Sequence, residues 1–206
     1  QTPLTVFIAS GTYSPSTNME VFPLPIIPHV TVSGSGRTDT ILDTEETGTG
    51  FYSFDDGICI LEKMTISNPG PGRRCVKMSE TGGVVADIEF VNTSTSVVAL
   101  NLMKCEEIEI TDCRFVNCEQ RWVFINESTA KVQRCRFENN TEFGGHVSFS
   151  DIEFTDCIFD NGLHSYMIVS VASSRFKNCQ FSRSSNTDFG SPLMIDAGQC
   201  RLENCI

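Results

Sequence analysis

The chain has 206 residues, enough for one domain with a substantial core, and nothing in that length calls for two. A net charge of −11 repels phosphate backbones and anionic membrane surfaces, and no Lys/Arg cluster makes a local exception, which argues against nucleic acid as a partner. Ten cysteines fall below the density of a small disulfide scaffold, and no run approaches the roughly 18 apolar residues of a membrane span.

Gln1 to Ser10 lacks the basic start and apolar middle of a leader, and a chain that does not begin with Met is compatible with one already removed. Val6 to Tyr13 reads VFIASGTY, a strand closing on Gly-Thr-Tyr. Glu20 to Asp43 reads EVFPLPIIPHVTVSGSGRTDTILD, a Pro-rich segment followed by a strand, a Gly-Ser turn and a second strand. Gly34 and Gly36 resemble a phosphate loop only superficially, because TDTIL continues as strand and no helix follows.

From residue 51 a repeat sets in. LEKMTISN, VADIEFVN, ITDCRFVN, VQRCRFEN, FTDCIFDN and FKNCQFSR align, with LENCI as a cut-off seventh. Their fourth position is Met64, Ile88, Cys113, Cys135, Cys157, Cys179 and Cys205, at intervals of 22 to 26 residues. Two residues on stand Ile66, Phe90, Phe115, Phe137, Phe159 and Phe181, which accounts for much of the excess of 15 Phe over 1 Trp and 3 Tyr. Three residues before the column stand Leu61, Val85, Ile110, Val132, Phe154, Phe176 and Leu202.

Units this short cannot hold a helix pair with its loops, and apolar positions alternating with polar ones suit half-buried strands. Second strand-like runs, VVALNLM, RWVFIN, HVSFS, YMIVSV and PLMID, lie between them, set off by Asn, Gly, Ser, Asp and Thr. A unit of about 22 residues with two or three strands and tight polar corners is one coil of a parallel β-solenoid. The fold expected is therefore all-β, one domain over residues 1–206, with N-terminal coils in 1–50 and regular coils in 51–206. Four residues beyond the column come Asn68, Asn92, Asn117, Asn139 and Asn161. Stacked asparagines can turn a corner with left-handed backbone angles and bond one another from coil to coil, so an asparagine ladder is expected there.

The order of VFIASGTY, the FP segment, VTVSGSG and TIL resembles the opening coils of right-handed parallel β-helix proteins of the pectin-lyase-like superfamily. It is most similar to secreted bacterial surface proteins whose coils read C-x-F-x-N. In that group a strand or short capping helix precedes the Gly-Thr-Tyr strand. Its lack before Gln1, and a last repeat that stops at Ile206 inside a strand, lead to the expectation of a piece of a longer polypeptide or of ends completed by another chain. The combination of an Asp-Asp pair with Gly-His-Gly that marks polygalacturonases is missing, as is the Gln, Asp and Arg set of pectin methylesterases; GGH at Gly144 to His146 is not that motif.

A metal reading of the cysteines needs paired C-x2-C spacing, which the chain lacks. Coil-to-coil stacking puts column cysteines about 4.8 Å apart, and a disulfide wants Cβ atoms about 3.8 Å apart with a defined twist. Cys113, Cys135, Cys157, Cys179 and Cys205 are thus expected as free, buried, small apolar groups. Cys59, Cys75, Cys105, Cys118 and Cys200 lie off the column, and a Cys105–Cys118 bridge stays open. His29, His146 and His164 occupy different coil positions and form no triad pattern. Asn92, Asn126 and Asn139 head glycosylation acceptor patterns, two of them already claimed by the ladder.

Carboxylates and arginines on an exposed sheet face are the material of a lyase, esterase or hydrolase centre. The residue before the column runs Lys63, Asp87, Asp112, Arg134, Asp156, Asn178 and Asn204. Asp87, Asp112 and Arg134 are the catalytic candidates on that face, and a solvated ladder of alternating charge is the competing account of the same residues. The function expected is a non-catalytic secreted or cell-surface structural or adhesive module, stacking end to end with itself. The alternative is a polysaccharide lyase, esterase or hydrolase, or a carbohydrate binder, on the exposed sheet. No cofactor and no metal is expected.

Overall fold

The computed structural model describes residues 4–54, 56–93, 98–119, 121–139, 144–160, 167–182 and 193–206; the side chains of residues 92, 93 and 167 are not described, and Asn161, His164 and Arg183 lie outside these ranges. The chain winds as a right-handed parallel β-helix in which every strand pairing is parallel and in register with the next coil. Each regular coil has three strands, which stack into three faces.

The A face stacks Ile108–Thr111, Thr129–Gln133, Asp151–Thr155, Ser173–Lys177 and Gln199–Glu203. The B face stacks Arg114–Cys118, Arg136–Glu138, Ile158–Asp160 and Gln180–Phe181. Two long bent strands, Ile58–Ser67 and Gly82–Thr93, belong to both faces, so A and B form one fifteen-stranded sheet folded along a corner. The C face is a separate eight-stranded sheet of Leu24–Pro25, Phe51–Ser53, Arg74–Ser79, Val98–Met103, Arg121–Asn126, Gly145–Ser148, Met167–Ser170 and Leu193–Asp196. Among the described residues there is one short helix, Pro15–Asn18, capped by Ser14.

Left-handed residues make the tight corners, one at most of them and two, Lys104 and Glu107, between Val98–Met103 and Ile108–Thr111. At the A–B corner these are Lys63, Asp87, Asp112, Arg134, Asp156, Asn178 and Asn204, all with φ between 52° and 61°. At the C–A corner they are Glu80, Lys104, Glu127, Phe149, Val171 and Ala197. Asn68, Asn117 and Asn139 turn the B–C corner at φ 51° to 55°. Asn68 donates to Asp43 of the preceding coil at 3.0 Å, while Asn161 and the side chain of Asn92 lie outside the described residues. Amide bonds from coil to coil do occur at the A–B corner, where Asn178 donates to Asp156 at 2.9 Å and Asn204 to Asn178 at 3.3 Å.

The residue after the left-handed one points inward and bonds a carbonyl that the bend has turned toward the core. Sγ of Cys113, Cys135, Cys157, Cys179 and Cys205 each lies 3.4 Å from the carbonyl oxygen two residues back and 3.4–3.6 Å from one on the preceding coil. Ser128 and Ser150 do the same work at the C–A corner, donating to Asn126 and Ser148 carbonyls at 2.8 and 2.7 Å. The cysteine column is thus more than apolar filling: a thiol satisfies a backbone acceptor that burial would otherwise leave unmatched. All ten cysteines are free. Cys105 sits near Cys59 at the C–A corner, whereas Cys118 closes a B-face strand beside Cys75, so the Cys105–Cys118 bridge does not form.

Between the faces, Phe90, Phe115, Phe137, Phe159 and Phe181 form a continuous ring stack with centroids 4.7–4.8 Å apart and planes within 17°. Trp122, on the C face, closes onto Phe137 at 4.9 Å and Phe159 at 6.0 Å. Phe137 therefore touches two ring neighbours along the axis and a third across the core. Phe137→Ala is expected to cost about 3–5 kcal/mol, a cavity in a rigid stack that cannot collapse, measured by denaturant unfolding against wild type.

Candidate functional site

The three catalytic candidates meet on adjacent coils, but not on a flat sheet. Their left-handed backbone puts Asp87, Asp112 and Arg134 on the convex A–B corner, which corrects their expected place on an open face. Arg134 forks onto Asp112 with Nε–Oδ1 and Nη2–Oδ2 distances of 2.8 and 2.7 Å, and Arg37 holds Asp87 at 2.7 Å. The hydrogen bond from Arg134 holds the Asp112 carboxyl below its ordinary range, with the Arg134 and Arg37 charges adding to it; the same contact raises Arg134. A carboxylate held ionised by a forked arginine is a poor proton donor and a poor base. Among the described residues, no group of three or more His, Cys, Asp or Glu side chains could hold a metal ion.

The outer B face carries a second closed ladder. Arg114 bridges Glu89 at 2.9 Å and Glu138 at 2.7 Å, and Arg136 reaches Asp160 at 3.3 Å. Both ladders are structural pairs at half-exposed positions, where each bridge contributes little.

The C face differs. In strict register its outward positions run Tyr52, Lys77, Asn101, Phe124, His146 and Ile168. Arg74 and Arg121 flank this row through their pairings with Val98. Its strands from Leu24–Pro25 to Met167–Ser170 carry these cations and no carboxylate, in a chain of net charge −11. The row is partly covered yet incompletely satisfied: Asn101 is 4% exposed and its Oδ1 is buried without a hydrogen-bond partner, as are Nδ1 of His146 and Nε of Arg74. Arg121 lies 5.7 Å over the Phe124 ring, His146 meets that ring edge-on at 5.4 Å, and Lys77 lies 4.6 Å over Phe54. Burial, and then the Arg121 charge, push the His146 imidazole below its ordinary pKa, so it is neutral at pH 7 and offers hydrogen bonds rather than charge.

Chemically, such a row can hold an extended anionic polymer. Cations meet its charges, an aromatic face takes an apolar ring face, and the half-buried His146 can supply a directional hydrogen bond. Nothing in the repeat marks Lys77, Asn101 or Phe124, and His146 stands in the sequence as a histidine outside any triad pattern. Their spacings of 24, 23 and 22 residues repeat the coil period, but no residue type recurs to mark the column.

A family model described as a right-handed beta helix region matches residues 30–206. No curated protein matches the chain. Among solved structures, the protein ORF18 of Geobacillus virus E2 is similar over 98% of this chain with a TM-score of 0.58 and 10% identity; this chain spans 54% of its length. A mutant pectin methylesterase in complex with a hexasaccharide is similar over 87% of this chain and 70% of its own length, with a TM-score of 0.59 and 10% identity. At such identities the likeness is one of fold alone.

Two outcomes follow. Because the folded-state pKa of Asp112 is depressed, its pair with Arg134 contributes stability above the unfolded value of about 3.9 and loses it as pH falls through the folded value. Asp112→Asn is expected to lower the melting temperature slightly at pH 7, with the gap to wild type closing on acidification; melts from pH 7 to 2 check this. Burial raises the thiols of Cys75, Cys135 and Cys157, the last to about 12 with the Cys135 contact as its largest cause. A thiol-specific colorimetric reagent is therefore expected to label the half-buried Cys200 and Cys205 in the native protein and the other eight only after denaturation.

Proposed function

The chain belongs to the right-handed β-helix family, and from that premise we propose that it is a non-catalytic secreted or cell-surface module that holds an acidic polysaccharide along its C face. The observation that carries this reading is the register row Lys77, Asn101, Phe124 and His146, flanked by Arg74 and Arg121 and free of carboxylates. Successive positions lie about 4.8 Å apart, close to the rise of one sugar unit along an extended chain, so a polymer laid across the coils would meet one side chain per unit. Lys77, Phe124 and His146 keep part of their side-chain surface open to such a polymer. The hexasaccharide held by a pectin methylesterase of the same fold supports the ligand class, though not these residues.

Turnover is disfavoured by the same row. Glycoside hydrolysis requires two carboxyl groups flanking the bond, and proton abstraction requires a base that is free to act. The C-face row has no carboxylate, and Asp87, Asp112 and Arg134 lie on another corner with their charges committed to each other and to Arg37.

Affinity electrophoresis and calorimetry with polygalacturonate, against a neutral glucan, test the proposal. Binding is expected to prefer the uronate polymer, to weaken between 50 and 300 mM salt, and to fall about 5- to 10-fold in Lys77→Ala and in Phe124→Ala, each a change of about 1 kcal/mol. Arg134→Ala is expected to bind as wild type does. Equal affinity for the neutral glucan, or release of reducing ends, unsaturated products or methanol, overturns it.

A further inference from the structure

The A face carries a third row of charges, and it is built unlike the other two ladders. Its outward positions run Val84, Glu109, Lys131, Glu153, Arg175 and Arg201 on consecutive strands. On the A–B corner and the B face, arginines close onto neighbouring carboxylates. Here Glu109, Lys131 and Glu153 stand on adjacent strands and, among the described residues, form no ion pair with one another or with any other group. Arg175 and Arg201 both turn aside to Glu203, at 3.6 and 2.6 Å. The row lines an open trough of about 770 Å³, bordered on one side by the left-handed Phe149, which is 61% exposed, and Val171.

The order of these charges has a symmetry. Minus, plus, minus, plus is the complement of its own reverse. A two-fold axis lying along the strand direction, between the strands of Lys131 and Glu153, turns a second copy face to face with its coils running the opposite way. Glu109 then meets Arg175 of the other copy, and Lys131 meets Glu153, each contact occurring twice. The neighbouring rows fit the same operation without setting like charges together. Thr129 faces Asp151, Glu107 faces Ser173, Thr111 faces Lys177 and Gln133 faces Thr155, while Arg201 faces Val84. The trough is the space that long side chains from both copies would fill.

We propose that the A face is a self-complementary contact through which two copies of the chain associate side by side with antiparallel axes. Five strands about 4.8 Å apart, each about five residues long at about 3.3 Å, present roughly 400 Å² per copy. That is below the ordinary size of a stable interface, so the association is weak, rapid and governed by ionic strength. It uses neither the coil ends nor the C face, and it leaves the polymer row of each copy open.

Sedimentation velocity of the purified chain, from micromolar to about millimolar and in 20 or 500 mM salt, reads it out. A dimer fraction that rises with concentration at low salt and disappears at high salt is expected. Lys131→Glu alone and Glu153→Lys alone each set like charges opposite one another and are expected to stay monomeric, with melting curves confirming that both fold. An equimolar mixture of the two variants restores both opposed pairs and is expected to dimerise, at least tenfold more strongly than either alone; the double variant is expected to recover likewise. A wild type that is monomeric at millimolar concentration in low salt overturns the proposal. So does association untouched by either single reversal, including end-to-end filaments, and so does a mixture no stronger than its parts. Polygalacturonate binding by the monomeric variants is expected to be unchanged, so this contact and the C-face reading fail or stand separately.

Discussion

Everything in this molecule depends on one distance, the separation of about 4.8 Å that parallel backbone hydrogen bonding imposes between successive coils. A position in the repeat becomes a column in space, and whatever the sequence places there meets its own counterpart above and below. Phenylalanines become a ring stack because 4.7–4.8 Å between centroids is also a comfortable offset-stacking distance. Inward thiols and hydroxyls become rows of hydrogen-bonded corners. Stability is then close to a sum over neighbouring coils, with few contacts reaching further.

The same spacing governs the outer surface, where its effect depends on which charges are adjacent. On the B face and the A–B corner, oppositely charged side chains close onto each other and are neutralised within the molecule. On the C face the strands from Leu24–Pro25 to Met167–Ser170 carry no carboxylate, and two of its cations lie over aromatic rings. A chain with a strongly acidic average can therefore keep cations and carboxylates on different strands, which net charge alone conceals.

Fold and core were legible in the sequence because they rest on recurrence. Cys113, Cys135, Cys157 and Cys179, with Phe90, Phe115, Phe137, Phe159 and Phe181, repeat in type as well as in spacing. The A–B corner was misread as flat strand although a clue was present. Ile110 and Cys113 both point inward at an odd separation of three, which a continuous strand cannot do, so a bend must intervene at Asp112. Asn68, Asn117 and Asn139 stand at corners with left-handed backbone, as their spacing suggests, and a further amide-to-amide bond joins Asn204 to Asn178 at the A–B corner. Lys77, Asn101, Phe124 and His146 were invisible for the opposite reason to the core. They share a location without sharing a chemistry, and only strand register brings such residues together.

The corner thiols bear on the lifetime of the molecule. While the coils are closed, eight of the ten sulfur atoms are enclosed, and four of these, at the A–B corner, also face backbone carbonyls, so an oxidant in solution finds little to attack. A chain that opens in an oxidising environment presents all ten at once, at separations that permit many wrong pairings. Oxidation then removes opened chains from the refolding pool. Outside a reducing compartment, persistence is set less by the balance between folded and unfolded forms than by how seldom a coil lets go.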